Sequence, residues 1–85
     1  MNKKSINVLY RNINNNIKEE VRDLIDKITY CGYSKENIAL SLGVSDNLVI
    51  LWYNGIELPT LQQFFLLKNI YISVQIVMEV INCVK

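Results

Sequence analysis

The chain has 85 residues, of which 51% are hydrophobic, and its formal net charge is +1. This length accommodates one domain, and so apolar a composition excludes a disordered chain. The sequence contains no histidine, which excludes a histidine general base and histidine metal ligands. A domain this small has a limited core, and association with a second copy is a common way to stabilise it.

The remaining bulk features predict a cytoplasmic protein that is not an enzyme. Two cysteines, Cys31 and Cys83, lie in apolar patterns; they make neither a disulfide framework nor, by themselves, a zinc site, so we interpret them as buried free thiols in a reducing compartment. We see no signal peptide and no run of eighteen apolar residues, and therefore expect no membrane span. The sequence lacks a glycine-rich phosphate loop and its acids are scattered on helix faces, so we expect no cofactor and no metal.

Residues 1–15 are expected to form an N-terminal arm or a short extra helix outside the main domain. Ile6, Tyr10 and Ile13 follow one another at helical spacing, whereas Ile6, Val8 and Tyr10 also fit an alternating strand. The asparagine-rich residues 12–16 favour a break after this segment. The three cations that would make it a basic arm for a DNA backbone are Lys3, Lys4 and Arg11.

The first long helix is predicted at residues 16–32. Asn16 and Glu19 have the spacing of a capping box, and Gly32 is a suitable residue to end the helix. Its apolar residues recur on a single stripe, made of Ile17, Val21, Leu24, Ile25 and Ile28. We interpret the charged residues on the opposite face as solvated surface.

Residues 35–54 have the pattern of two short helices joined by a tight turn. Ser34 and Ser45 are good N-cap residues, because a serine hydroxyl can accept from an unpaired N–H group of the first turn. Gly43 and Gly55 stand where the two helices must end, since glycine adopts the left-handed conformation at low cost. Two capped helices with this spacing are typical of a helix-turn-helix.

Two further helices are predicted after the motif. Pro59, followed by the capping-box pair Thr60 and Gln63, indicates a fourth helix at residues 60–69 with Leu61 and Phe64 as core candidates. The apolar segment 73–84 fits a helix with two apolar faces and also fits an alternating strand, and periodicity alone does not decide between them. Ser73 as an N-cap favours the helix.

The motif resembles the small phage-repressor helix-turn-helix domains, the Cro and repressor group of the XRE type. The residues that carry the resemblance are Ala39, the turn Gly43-Val44-Ser45, Val49, Trp52, Gly55 and Pro59. Residues 70–74 resemble the start of a fifth helix in that family. The resemblance covers roughly residues 16–81, and it implies an all-α, five-helix DNA-binding domain at residues 16–85 with an apolar C-terminal helix and a helix-turn-helix at about 35–54.

The resemblance also implies which residues contact DNA. The third helix, at about residues 46–54, would be the recognition helix, with Val49 and Trp52 turned to the core. Asparagine can pair with adenine, aspartate can accept from cytosine and leucine can touch a thymine methyl group. A lysine at the start of the second helix is placed to meet a phosphate. The residues expected at the DNA are Lys35, Ser45, Asp46, Asn47, Ile50 and Leu51.

Two functions remain open at this point. The first is a bacterial or phage transcription regulator whose partner is a double-stranded DNA operator, read by a homodimer at half-sites about one helical turn apart. The second is a protein-binding module, such as an antirepressor or inhibitor, which the near-neutral charge and an outward apolar patch of Leu40, Ile50 and Leu51 favour. We favour DNA. The residues expected at protein interfaces are Leu40 in this patch and Val80, Ile81 and Val84 on the C-terminal helix, whose second apolar face needs a two-fold partner.

Overall fold

A computed structural model of the protein describes the backbone of residues 3–84 and the side chains of residues 15–81. Within the described backbone, all regular secondary structure is helical and forms four helices: α1 (Lys3–Tyr30), α2 (Lys35–Leu42), α3 (Asp46–Tyr53) and α4 (Leu61–Val84). The all-α class therefore fits, but the predicted five-helix repressor-like architecture is wrong. The two long helices, α1 and α4, each take the place of two predicted elements.

At the N-terminus, the predicted separate arm at residues 1–15 is absorbed into α1 from Lys3 onward. This helix has 28 residues and passes through residues 12–16 without a break, so Asn16 is an interior residue and not a cap. Asparagine costs a helix only about 0.7 kcal/mol relative to alanine, whereas glycine and proline, which break helices, do not occur in this segment. The side chains of the three predicted arm cations, Lys3, Lys4 and Arg11, lie outside the described residues.

At the C-terminus, the predicted helices at 60–69 and 73–84 are one 24-residue helix, α4. Ser73, expected to cap a new helix, lies within it, since a serine without a neighbouring glycine or proline is too weak a signal to end a helix. The core prediction was wrong for Leu61, whose side chain is 71% exposed. Phe64 packs against the core and Leu67 is fully buried in it.

The predicted caps of the short helices are present. The Ser34 hydroxyl accepts from the backbone N–H three residues further on at 3.1 Å, and Ser45 does the same at 3.2 Å. Thr60 and Gln63 form a reciprocal capping box, in which the Thr60 N–H donates to the Gln63 side chain at 2.8 Å and the Gln63 N–H donates to the Thr60 hydroxyl at 3.1 Å. These local hydrogen bonds set where α2, α3 and α4 begin.

The turn between α2 and α3 is closed by a glycine C-cap. Gly43 has φ 69°, and the following Val44 N–H donates to the Ala39 carbonyl at 3.0 Å. Gly55 repeats the arrangement after α3 with φ 72°. A β-carbon at such a φ is strained, so these positions favour glycine. Ala39 itself is buried, as expected for a small residue where two helices approach closely.

The core lies between the second half of α1, the α2–α3 pair and the first half of α4. Its buried residues are Val21, Leu24, Ile25, Ile28, Ile38, Ala39, Val49, Trp52 and Leu67. An ion pair between Lys68 and Glu20 at 3.2 Å joins α4 to α1 at the edge of this core. The distal half of α4 lies beyond the core, and its apolar side chains are largely exposed.

By length and composition alone, the segment Leu61–Ile81 of α4 could cross a membrane, a possibility that the sequence analysis did not identify. Only 6% of this apolar window is buried, but its first half is attached to the helical core through buried Leu67 and the ion pair of Lys68. The remainder, residues 72–84, would span only about 20 Å at 1.5 Å per residue, less than the roughly 30 Å of a bilayer core. The structure is thus a small helical body with one protruding apolar helix.

Candidate nucleic-acid interface

The outer face of α3 is the surface that the sequence analysis assigned to DNA. Asp46, Asn47 and Ile50 are exposed on this face, and Leu51 is half-buried. The opposite face is held by Val49 and Trp52, both buried in the core. The helix therefore presents one short row of side chains to solvent, and its rotation about its own axis is set by the packing of its inner face.

The charge on α3 is unusual for a DNA-binding helix. Asp46 is its only charged residue, and a carboxylate in the first turn suits the positive end of the helix dipole but repels phosphate. Ser45 is exposed and its hydroxyl oxygen already accepts from the Leu48 N–H, although the hydroxyl proton is free to donate to another acceptor. The positive charge that a DNA backbone requires must come from neighbouring elements.

The ring of Tyr53, at the end of α3, contacts one cationic side chain from each of two other helices. The Lys35 Nζ atom, on α2, lies 4.0 Å from the centroid of the tyrosine ring. The Arg22 Cζ atom, on α1, lies 4.9 Å from the same centroid. Both distances are within the range of a cation–π interaction. The tyrosine hydroxyl donates to Asp26 Oδ1 at 2.9 Å, which orients the ring.

A third cation lies next to this pair. Lys18, one turn before Arg22 on α1, packs its side chain against Gly55, where an added β-carbon would lie 3.5 Å from Lys18 Cδ. An open cleft of about 300 Å³ is lined by Lys18, Glu19, Arg22, Tyr53, Asn54 and Gly55. We call Lys18, Arg22 and Lys35 around Tyr53 the basic cluster. The carboxylates of Glu19 and Asp26 offset part of its charge.

Lys35, the residue of the basic cluster that was predicted at the DNA, is the first residue of α2. Lys18, Arg22 and Tyr53 were not identified from the sequence. Lys18, Arg22 and Asp26 recur every four residues, which puts them on one stripe of α1. This spacing indicates from the sequence alone that the three side chains share one face of α1. It does not show which helix the stripe faces, so the charged side of α1 was interpreted as plain solvated surface.

Two other lysines form ion pairs away from the basic cluster. Lys27 Nζ lies 2.9 Å from Asp23 Oδ2 on the same helix, and Lys68 pairs with Glu20. The hydrogen bond that Lys27 donates to the Asp23 carboxylate, together with the coulombic attraction between the two groups, raises the pKa of Lys27 above the ordinary value. These exposed pairs contribute little to stability, and their positive charges are partly neutralised.

The residues predicted at protein interfaces fall on two separate elements. Leu40 on α2 is 81% exposed, and Ile50 on α3 is 43% exposed. Val80 and Ile81, on the distal half of α4, are each about half exposed. The side chain of Val84 lies outside the described residues.

Comparisons of the chain with family models, curated proteins and solved structures found no match. Among the described residues, no three cysteine, aspartate or glutamate side chains are grouped so that they could hold a metal ion. The function proposed below therefore rests on the helix-turn-helix geometry, the exposed face of α3 and the basic cluster.

Proposed function

We propose that the protein is a DNA-binding transcriptional regulator of phage or mobile-element type, acting in the cytoplasm. The observation that carries this proposal is the outer face of α3, where Asp46, Asn47 and Ile50 are exposed on a helix whose inner face is locked in the core. The same helix ends at Tyr53, which holds two cations of the basic cluster. A short helix held in this way can enter a major groove, which is about 12 Å wide.

The exposed row supplies chemistry for reading bases. The Asn47 amide can donate to and accept from the edge of adenine, and the Asp46 carboxylate can accept from the amino group of cytosine. Ile50 and Leu51 can contact thymine methyl groups. A good bidentate contact discriminates against a wrong base by about 1–3 kcal/mol, so Asn47 would contribute most to sequence preference.

The basic cluster supplies contacts to the backbone. Lysine and arginine side chains lose up to about 2 kcal/mol of rotamer entropy when they are fixed, and the Tyr53 ring already restricts Arg22 and Lys35 in the free protein. Lys35 is also the first residue of α2, where unpaired N–H groups and the helix dipole favour a phosphate. Phosphate contacts of this kind set orientation and carry no sequence information.

The near-neutral net charge predicts weak non-specific binding. If each protomer neutralises three phosphates through the basic cluster, log K should fall with log salt at a slope of about −2.7 per protomer and about −5 for a dimer. Two protomers would read half-sites separated by about one helical turn.

A second candidate function is supported by the exposure of Leu40 and Ile50. Exposed leucine and isoleucine on a helix-turn-helix match the apolar centre of a protein interface better than they match phosphates. On this alternative the protein is an antirepressor or inhibitor, and its α2–α3 surface binds another protein.

Fluorescence anisotropy measured at a series of salt concentrations distinguishes the DNA-binding function from the protein-binding function. The wild-type protein is titrated into random-sequence duplex DNA, and into duplexes selected from a random library, between about 50 and 200 mM salt. The DNA proposal requires binding that weakens with salt and a selected sequence that binds more tightly than random DNA. Absence of binding at the lowest salt would reject it.

A charge-matched pair of variants assigns the binding to the basic cluster. Arg22→Ala removes a cation of the cluster, whereas Lys27→Ala removes a cation paired with Asp23 and placed over the Tyr71 ring. We expect Arg22→Ala to flatten the salt slope by about one and Lys27→Ala to leave it nearly unchanged. Equal changes of the salt slope in the two variants would show that DNA binding depends on net charge alone and not on the basic cluster.

A further inference from the structure

The apolar surface on the distal half of α4 is wider than the other helices of the same chain cover. Between residues 72 and 81, six large apolar side chains are exposed by about 40% or more: Ile72, Ile76, Val77, Met78, Val80 and Ile81. Gln75 and Glu79, four residues apart, occupy one narrow polar stripe. A surface helix normally buries a stripe somewhat wider than 100°, but here the apolar arc extends over roughly two thirds of the circumference.

One side of this arc forms a groove with the turn that follows α1. The groove has a volume of about 380 Å³, and it is lined by Cys31, Gly32 and Tyr33 from the turn and by Ser73, Val74, Val77, Met78 and Ile81 from α4. The residues of α4 that line it include Val74, Val77 and Ile81, spaced by three and four residues as in a coiled-coil seam. The groove is concave and has two walls, which suits a helix better than a flat bilayer.

The exposed area is sufficient for a dimer. Six half-exposed side chains amount to on the order of 500 Å² of apolar surface per protomer. Two such surfaces would bury about 1,000 Å², the lower limit for a specific protein interface, when the side chains on both sides of the arc are covered. A patch of this size is at the upper end of what a typical monomer exposes, and such patches are often interaction sites.

We infer that a second copy of this chain places its α4 in this groove, while its own groove receives α4 of the first copy. The two α4 helices meet along Val74, Val77 and Ile81, and the Cys31–Tyr33 turn of each copy covers the flank of its partner's α4. This reciprocal contact explains why the apolar arc is wider than a coiled-coil seam, because each helix is covered from two directions. It is a closed two-fold interface, in which the same patch is used by both copies.

Association of two copies through α4 does not depend on DNA as the ligand. Sedimentation velocity at rising protein concentration tests it first, with Ile81→Glu and Val77→Glu in the groove. A buried, unpaired carboxylate is costly, so each variant should weaken dimerisation at least about tenfold. Gln75→Glu is the matched control, because it introduces the same residue on the polar stripe and should leave the dimer intact.

The position of the interface is tested with the Cys31 thiol. Cys31 is half-exposed in one chain and should be covered in the dimer. In a Cys83→Ser background, its alkylation by iodoacetamide should slow as protein concentration rises through the dimerisation range. Adding Val77→Glu should restore the fast rate, and helical circular dichroism should confirm that this variant is folded.

Several outcomes would overturn the inference. A dimer that survives Val77→Glu and Ile81→Glu, or one that leaves Cys31 equally reactive, must use another surface. A wild-type chain that stays monomeric at high micromolar concentration would reject the second copy as occupant. Flotation of that monomer with phosphatidylcholine vesicles would then assign the surface to lipid, and failure to float would assign it to a different protein.

Discussion

The Tyr53 hydroxyl donates a 2.9 Å hydrogen bond to Asp26 Oδ1 and thereby joins the end of α3 to α1. The ring of the same tyrosine holds Arg22 and Lys35. Tyr53 thus attaches the end of α3 to α1 through its hydroxyl and positions two cations of the basic cluster through its ring. The two roles can be separated by substitution.

We expect Tyr53→Phe to lower stability and to leave DNA binding intact. The substitution removes the hydrogen bond to Asp26, at a cost of about 0.5–1.5 kcal/mol in the free energy of unfolding. The ring and its cations remain, so affinity for random DNA should stay within about twofold of the wild type, a change of only about 0.4 kcal/mol. Urea unfolding and anisotropy measure the two quantities.

Tyr53→Leu is the comparison for that variant. Because leucine has no ring, Arg22 and Lys35 lose their cation–π contacts and become free to adopt many rotamers. DNA affinity should fall below that of Tyr53→Phe, measured under conditions where both variants are folded. Equal affinities for the two would show that the ring does not organise the cations.

We expect Ala39→Leu to destabilise the domain by roughly 1–3 kcal/mol, because Ala39 is 1% exposed and a larger side chain overpacks the approach of α2 to α3. The neighbouring Leu40→Ala is the control. Leu40 is on the solvent side, so its truncation should change stability by no more than about 0.5 kcal/mol. Thermal unfolding of both variants checks the prediction, and an unchanged Ala39→Leu would contradict the close packing.

Asn47→Ala and Lys35→Ala should alter DNA binding in different ways. Loss of the Asn47 amide should remove discrimination at one base position, by about 1–3 kcal/mol, and leave random DNA bound as before. Loss of the Lys35 cation should weaken binding to all sequences alike and reduce the salt slope by about one. Competition with single-base operator variants measures both effects, and a Lys35→Ala protein with changed sequence preference would contradict the assignment.

Ile50→Lys distinguishes DNA from a protein partner by the sign of its effect. Ile50 is 43% exposed, so the substitution should leave the fold intact. If DNA is the ligand, an added cation at the groove face should leave non-specific binding equal or stronger. If the α2–α3 surface binds a protein, a lysine in the apolar centre should abolish that binding. Weaker DNA binding by a folded variant would argue against the groove placement of α3.

The elements that could be predicted from sequence are those marked by strong local signals. Ser34, Ser45 and the Thr60–Gln63 pair cap helices through partners three residues away, and Gly43 and Gly55 end them by adopting a positive φ. The 3.6-residue period of a helix is also a local signal, and it correctly predicted that Val49 and Trp52 face the core. The predicted breaks failed where the signal was weak. The asparagines of residues 12–16 and Ser73 each cost a helix a fraction of a kcal/mol, which continued helical hydrogen bonding outweighs.

The sequence by itself indicated the all-α class and the α2–α3 motif with its caps, and the family resemblance indicated the outward residues Asp46, Asn47 and Ile50. Only the tertiary structure decided which charged residues act together. Arg22 meets Tyr53, and Lys18 meets Gly55, because α1 packs against α3. No local spacing encodes which face of one helix approaches the end of another. It also decided that, among the side chains that the structure describes, those of the distal half of α4 stay largely exposed, since burial depends on where the other helices end and not on the apolar residues of α4 alone.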